Sequence, residues 1–445
     1  MARSLAGPAF AKGNPAGGVA TAGRWLRFAF LATPLIGTTF LSKFAFPPFG
    51  AQGIGISLFL LLAALFAGSI SGCLSLEPRR LTLFVTLIGI LGVIQLFQPD
   101  SFSITSFLLL VAVHLPYVCT VPHGDERDRI IKFFLGIVTV LALCGIAQYS
   151  LQFVVDARFL FPIENFVPDT FIVQHFNHQA AMEYGSQEYR ANGVFLLEPS
   201  FFSQMLAVAI VAELCTLGRV TRLAVFGIAL VVSYSGTGIM VLAICLPLCI
   251  VARRRWGLLL LGLLALAVLI PLQVYLHADR LLSRVAEFSS VQSSGYSRFV
   301  GGFYLFDQFL WHDPWRALFG YGAGSFTSYT LRVHYAVAEM ALFKIVFEFG
   351  IVGAVGYFGF LFCCLYYSTA PRLLTLAVAA TYLLNGIYTP FAHGLALSLL
   401  LWRSAPAGGG RAEWLAVPAR RRRCEESAFR DPMAYPATLA QKAWG

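Results

Sequence analysis

The chain has 445 residues, of which 58% are apolar and only 12% charged, about half the ~25% charged fraction of an average soluble domain. A mean hydropathy of +0.73 spreads apolar stretches over most of the length, which excludes a soluble globular protein and predicts an all-α polytopic integral membrane protein. The formal charge of +10 would suit nucleic-acid binding only if the Lys and Arg residues shared one surface; they are instead spaced between apolar runs, where they mark topology.

Residues 1–25 carry Arg3, Lys12 and Arg24, and a series of spans follows them rather than one short apolar core with a cleavage site. This segment is therefore read as a retained cytoplasmic N-terminus. Helices are predicted over about 26–42, 51–76, 81–98, 102–121, 130–155, 196–217, 223–252, 256–276, 336–367 and 372–402. Two runs are interrupted, one by Ser233-Tyr-Ser-Gly-Thr-Gly238 and one by Asn385-Gly386 and Pro390, so each is one long helix or two short ones. Splitting both gives about twelve transmembrane helices. The loops with Arg79/Arg80, Arg127/Arg129/Lys132, Arg219/Arg222, Arg253 to Arg255 and Arg372 then share a side with both termini, and the positive-inside bias makes that side the cytoplasm. The transmembrane domain is thus 26–402, and 403–445 is a basic, disordered cytoplasmic tail.

Two long loops, about 156–195 and 277–335, face outward on this assignment. They hold His175, His178, His277, His312 and His334, whereas the nine cysteines lie in apolar segments or the tail, which predicts no disulfide framework and no zinc site. The aromatics Tyr296, Phe299, Phe303, Tyr304, Phe306, Phe309, Trp311 and Trp315 are too many for a freely solvated loop, so the second loop is expected to lie against the membrane interface or the protein.

Four clusters hold residue types that carry chemistry. Arg190 to Ser203 runs into a helix whose first turn starts with Pro199, with Glu198 near the positive end of the dipole; it reads either as helix stabilisation or as an Arg and a carboxylate at the mouth of an outward cavity. Ser233 to Gly238, with Ser235 and Thr237, reads either as close small-residue helix packing or as free amides facing an anion. The second loop offers Arg298, His312, Arg316, the turn Gly320-Tyr321-Gly-Ala-Gly324, Arg332 and His334, types that bind phosphates and shuttle protons. Lys344 and Glu348 lie one helical turn apart inside a span and can neutralise each other. His175 and His178 have metal-like spacing but no third ligand nearby in sequence, and no metal is assigned.

Together these motifs resemble the bacterial O-antigen polymerase and ligase superfamily, the Wzy-type membrane glycosyltransferases of surface-polysaccharide synthesis. The resemblance rests on Arg190, Gly193-Val-Phe195 and Glu198-Pro-Ser200; on Ser233 to Gly238, where the family often has Arg after Ser and this chain has Gly236-Thr237; on Arg298, Pro314 and Gly320-Tyr-Gly322; and on His334 followed by Glu348-Phe-Gly350-Ile-Val-Gly353, with Tyr335 where Asn often follows the His.

The resemblance implies a GT-C-like fold and an inverting, metal-independent glycosyl transfer at the periplasmic face of the bacterial inner membrane, with an undecaprenyl-pyrophosphate-linked glycan as donor and no cofactor. On that reading Arg190, Arg298 and Arg316 would meet the pyrophosphate leaving group. His334 is the first choice and Glu198 the second for the base that activates the acceptor hydroxyl, with Tyr321, Ser235 and Thr237 lining the glycan site. The Glu198-Pro-Ser form resembles exopolysaccharide polymerases more than ligases acting on lipid A core. A lipid-linked oligosaccharide flippase or other secondary transporter is the alternative of another class. A chain-length-regulating co-polymerase and a flippase are the partners implied by analogy.

Overall fold

A chain this apolar has to satisfy its backbone internally, and helices do so within one segment. The computed structural model describes residues 15–400 apart from 48, 50–52, 73, 99–101, 121–126, 183–185, 254–256, 258–289, 292, 367 and 369, with backbone alone for 15–24 and 253. The run 256–276 apart from Gly257, His277 and the tail 403–445 therefore lie outside the described residues.

In chain order the helices of the apolar runs are α1 (Pro15–Thr39), α2 (Ile56–Ile70), α3 (Pro78–Leu96), α4 (Ile104–His114) and α5 (Arg127–Leu151). A pair of two-residue strands, β1 (Ser75–Leu76) and β2 (Cys119–Thr120), joins antiparallel beside them. In the first long loop α6 (Ala157–Leu160) and α7 (Pro162–Phe166) follow; then come α8 (Pro199–Cys215), α9 (Val220–Val232) and α10 (Gly236–Arg253). The second long loop is itself helical, with α11 (Ser294–Phe299), α12 (Gly301–Leu305), a π turn at Phe306–Leu310, α13 (Pro314–Phe319) and α14 (Ser325–Thr330). The last apolar helices are α15 (Ala341–Tyr366), α16 (Arg372–Leu383) and α17 (Pro390–Leu399).

The architecture is mostly helical, with several long apolar helices: α3, α5 and α15 are long and apolar enough to cross a membrane. Both interrupted runs are two helices. The first breaks at Ser233–Ser235 into α9 and α10, and the second breaks after Leu383 and restarts at Pro390, whose missing N–H costs nothing in a first helical turn. The run 102–121 differs from expectation: the α-helix ends at His114, passes through a 3-10 turn over Leu115–Val118 and becomes β2. Helix α1 starts at Pro15, inside the predicted N-terminal segment.

Helix α8 is the centre of the bundle. It is apolar around its circumference and buried at every residue from Pro199 to Cys215, as a helix enclosed on all sides requires. Its closest neighbour is α10, and the reason is Gly238: a Cβ there would lie 2.3 Å from the Ser203 carbonyl oxygen. A small residue lets the two backbones approach this closely. The helical second loop has its own small core, with Leu305, Phe306, Leu310 and Phe326 against Phe343 and Phe347 of α15. Of the loop aromatics, Tyr296 and Phe306 are buried against the protein, whereas Phe303, Tyr304, Trp311 and Trp315 remain exposed.

A polar knot lies inside the bundle. His114 Nδ1 faces Leu110 O at 2.8 Å, so that nitrogen donates, and Nε2, with the hydroxyls of Tyr382 (2.8 Å) and Tyr357 (2.7 Å) beside it, accepts from one of them while the two hydroxyls bond each other. His393 repeats the logic, with Nε2 donating to Ile387 O at 2.8 Å and Nδ1 accepting from Tyr117 at 3.0 Å. Buried polar groups persist when partnered in this way.

Candidate active site

The N-terminus of α8 gathers the first group of polar side chains. Glu198 is its N-cap residue, in extended backbone conformation, and Pro199 opens the first turn. The carboxylate does not cap its own helix; it reaches outward. Oε1 accepts from the Asn177 backbone N–H at 3.1 Å, and Oε2 accepts from Ser200 Oγ at 2.9 Å and from Arg298 Nη2 at 3.2 Å. Arg298, on α11, also reaches Ser200 Oγ at 3.3 Å. The pair is partly open, with side-chain exposures of 21% for Arg298 and 18% for Glu198, so an incoming anion can compete for the guanidinium.

The turn leading into Glu198 is held by buried polar groups that the sequence did not single out. Asn192 takes a bond from Gln148 Nε2 at 3.2 Å, returns its backbone N–H to Gln148 Oε1 at 3.0 Å and donates to His178 O at 2.8 Å. Gly193 and Val194 follow with φ of 69° each, a region that disfavours a β-branched residue such as valine. Lys43 fixes this turn from the far side, bonding Val194 O and pairing with Glu164 at 2.5 Å. Burial pushes the Lys43 ammonium below its ordinary value, against the opposing pull of Glu164. Lys43 and Glu164 are distant in sequence and lack any shared motif, which is why chain-order reading missed them.

The hydroxyl-rich step between α9 and α10 lies behind this group. Thr237 Oγ1 donates to Ser200 O at 3.1 Å and stands 3.1 Å from both the Ser203 and Ser235 hydroxyls, while Gly238 N–H donates to Ser203 Oγ at 3.1 Å. Ser235 and Thr237 therefore act on the turn that bears Glu198 through Ser200, and the free amide of Gly238 is spent on Ser203.

A second charged group forms on α15. Lys344 Nζ lies 3.1 Å from Glu339 Oε2 and 3.4 Å from Glu348 Oε1. Sequence spacing paired Lys344 with Glu348 alone; Glu339 precedes the helix and joins only because the chain turns into it. Burial raises the Glu339 carboxyl, but the Lys344 ammonium and a 2.5 Å bond from Thr327 Oγ1 outweigh it and leave it below its ordinary value. The two charged groups are joined by backbone, since Ala338 N–H, one residue before Glu339, donates to the carbonyl of Ser297, one residue before Arg298, at 2.9 Å.

The remaining candidates are placed as follows. Tyr321 stacks on Phe347 at 5.0 Å and donates its hydroxyl to Phe309 O at 2.7 Å; burial, reinforced by Tyr329, pushes its phenol above the ordinary value. Arg316 lies 4.9 Å over the Tyr321 ring and 4.0 Å from Asp313. Arg190 Nη2 donates to Met182 O at 2.8 Å in the first loop. His334 is exposed on the bend between α14 and α15, beside Tyr335, whose hydroxyl meets Gln308 Oε1 at 3.1 Å. The site thus brings Glu198, Ser200, Arg298, Ser235 and Thr237 together, and gathers Lys344, Glu348 and Glu339 in a neighbouring group.

No curated protein and no solved structure matches this chain. Residues 79–384 match the family described as WcaD colanic acid polymerase. The chain belongs to the WcaD colanic acid polymerase family, a Wzy-type exopolysaccharide polymerase family.

Proposed function

We propose that this polymerase joins undecaprenyl-pyrophosphate-linked repeat units at the periplasmic face of the inner membrane, with about twelve crossings and both termini in the cytoplasm. Family membership makes it a glycosyl-transfer enzyme acting on a lipid-linked glycan; the donor lipid, the face of the membrane and the residues are our reading. The observation that carries it is the Glu198–Ser200–Arg298 contact. In a single inverting displacement the acceptor hydroxyl oxygen attacks the anomeric carbon, the bond from that carbon to the pyrophosphate oxygen breaks, and its electron pair leaves on undecaprenyl pyrophosphate. The developing charge needs a guanidinium, and Arg298 is poised to trade Glu198 for the pyrophosphate. That exchange frees the Glu198 carboxylate to take the hydroxyl proton. Exposed His334 is the alternative base, on a segment whose Ala336 N–H bonds Val291 O near the start of α11 at 3.2 Å. Arg316 and Tyr321 would contact the glycan, and Arg190 would support the loop that faces it. The reaction uses no sugar nucleotide, cofactor or metal on this reading, and a co-polymerase and a flippase would be its partners.

Glycan analysis of a deletion strain complemented with wild type, Arg298→Ala or His334→Ala tests the proposal. Lipid-linked single repeats without polymer in the Arg298→Ala strain are expected. Wild-type polymer in that strain would overturn the assignment of Arg298, and the His334→Ala strain decides between the two bases.

A further inference from the structure

His178 has an arrangement that a neutral imidazole cannot satisfy. Nδ1 stands 3.0 Å from Leu197 O and Nε2 stands 2.8 Å from Val173 O. Both partners are backbone carbonyls, which only accept, whereas a neutral ring offers one N–H and one lone pair. The neutral form would set its lone pair against one of the carbonyls; the imidazolium donates to both.

We infer that His178 is a positioning residue for the polymerisation reaction: as an imidazolium it clamps the Leu197–Glu198 peptide to the first outer loop and so fixes the Glu198 carboxylate. This rests on the catalytic reading of Glu198. Three further bonds support the clamp. The Asn177 N–H, immediately before the ring-bearing residue, donates to Glu198 Oε1 at 3.1 Å; Asn192 Nδ2 donates to His178 O at 2.8 Å; and Val173, the other jaw, donates its N–H to Lys43 O at 2.9 Å. The charged groups around the ring are Glu198 with Arg298 from α11, the Lys43–Glu164 pair behind Val173, and Arg190 beyond Asn192 on the same loop. The Phe176 ring lies 6.4 Å from the imidazole and packs on Phe201 at 5.9 Å. The His-x-x-His spacing thus finds a use that involves no metal: His175 takes a left-handed φ of 71°, turning the chain so that His178 enters between the carbonyls.

The test uses the full chain in lipid vesicles with a synthetic polyprenyl-pyrophosphate repeat, measuring kcat and KM of polymerisation. His178→Gln, whose two N–H donors share one nitrogen and cannot span both carbonyls, should lose about tenfold to hundredfold in kcat with KM little changed, the scale of a small misplacement of a reacting group. His178→Arg keeps donors on separate nitrogens, so it should recover much of the rate. Ring-nitrogen NMR of histidine-labelled wild type in the assay buffer, with the His178 signals assigned by their loss in His178→Gln, should show both nitrogens protonated. One unprotonated ring nitrogen, or a wild-type rate in His178→Gln, would overturn the inference. Full activity in Glu198→Gln would overturn the catalytic reading together with this role, whereas an inactive Glu198→Gln beside an unaffected His178→Gln would overturn this role alone.

Discussion

Gly320 and Gly350 hold two distant segments together backbone to backbone. Both have left-handed φ, 74° and 67°, and each lies against the other's segment: a Cβ on Gly320 would meet the Glu348 carbonyl at 2.5 Å, and one on Gly350 would meet Leu318 O at 2.2 Å. The kink at Gly350 interrupts α15 and turns the carbonyls of Phe347 and Glu348 toward the N–H groups of Tyr321 and Gly322, at 3.0 and 2.9 Å. The Gly-Tyr-Gly turn and the Glu-x-Gly step, read separately in the sequence, are one structural unit.

Gly350→Ala should therefore destabilise the protein through both strain and overlap, by about 1–3 kcal/mol from each source. Gly359→Ala, which has open space around the added methyl, should leave stability nearly unchanged. Thermal unfolding of the detergent-solubilised variants checks this; equal unfolding temperatures would contradict the packing described.

At the α8–α10 crossing, Gly238→Ala should push the helices apart at Ser203 and disturb the hydroxyl cluster behind Glu198. A loss of about 1–3 kcal/mol is expected, together with reduced polymer formation. Gly236→Ala, only two residues away but with nothing within 4 Å of its added methyl, serves as the control and should retain activity.

Replacing either member of the Arg298–Glu198 pair should slow polymerisation by about 10² to 10³, the scale of losing one preorganised charge-stabilising group. Arg298→Lys keeps the charge but loses the planar fork that reaches Glu198 and Ser200, so it should rescue only in part. Initial rates with purified protein and lipid-linked repeats measure both effects, and a Lys variant equal to wild type would show that charge alone suffices.

Acid should loosen the group around Lys344. The folded-state pKa of Glu339 lies below its ordinary value of 4.5, so its contribution to stability is fully present above that value and is lost as pH falls through the depressed folded-state value. The unfolding temperature should fall as pH drops below about 4.5. Glu339→Gln should lower stability at neutral pH and flatten that slope. An unchanged slope would show that other carboxylates govern it.

Much of the fold was legible in the chain because apolar length and helix-breaking residues are local signals. The splits at Ser233–Ser235 and ahead of Pro390 could be placed from the residues themselves, as could Pro199 at the start of α8. The end of α4 at His114 is likewise a local signal, since Pro116 has no N–H to continue the helix, whereas the pairing of Cys119–Thr120 with Ser75–Leu76 that follows could not be placed from the residues.

The candidate site divides in the same way. Composition and motif order alone determined that this is a helical membrane protein of the Wzy type, and they marked Glu198, Arg298, Thr237 and Lys344. Tertiary structure decided which of these meet: Arg298 crosses a hundred positions of sequence to reach Glu198, Glu339 joins Lys344 from outside the helix, and Lys43, Asn192 and His178 hold the turn that carries the carboxylate. The physical reason is that side-chain type and helical period are written residue by residue, whereas hydrogen-bond partners across loops depend on how helices such as α8 and α10 pack, and a single glycine at position 238 sets that distance.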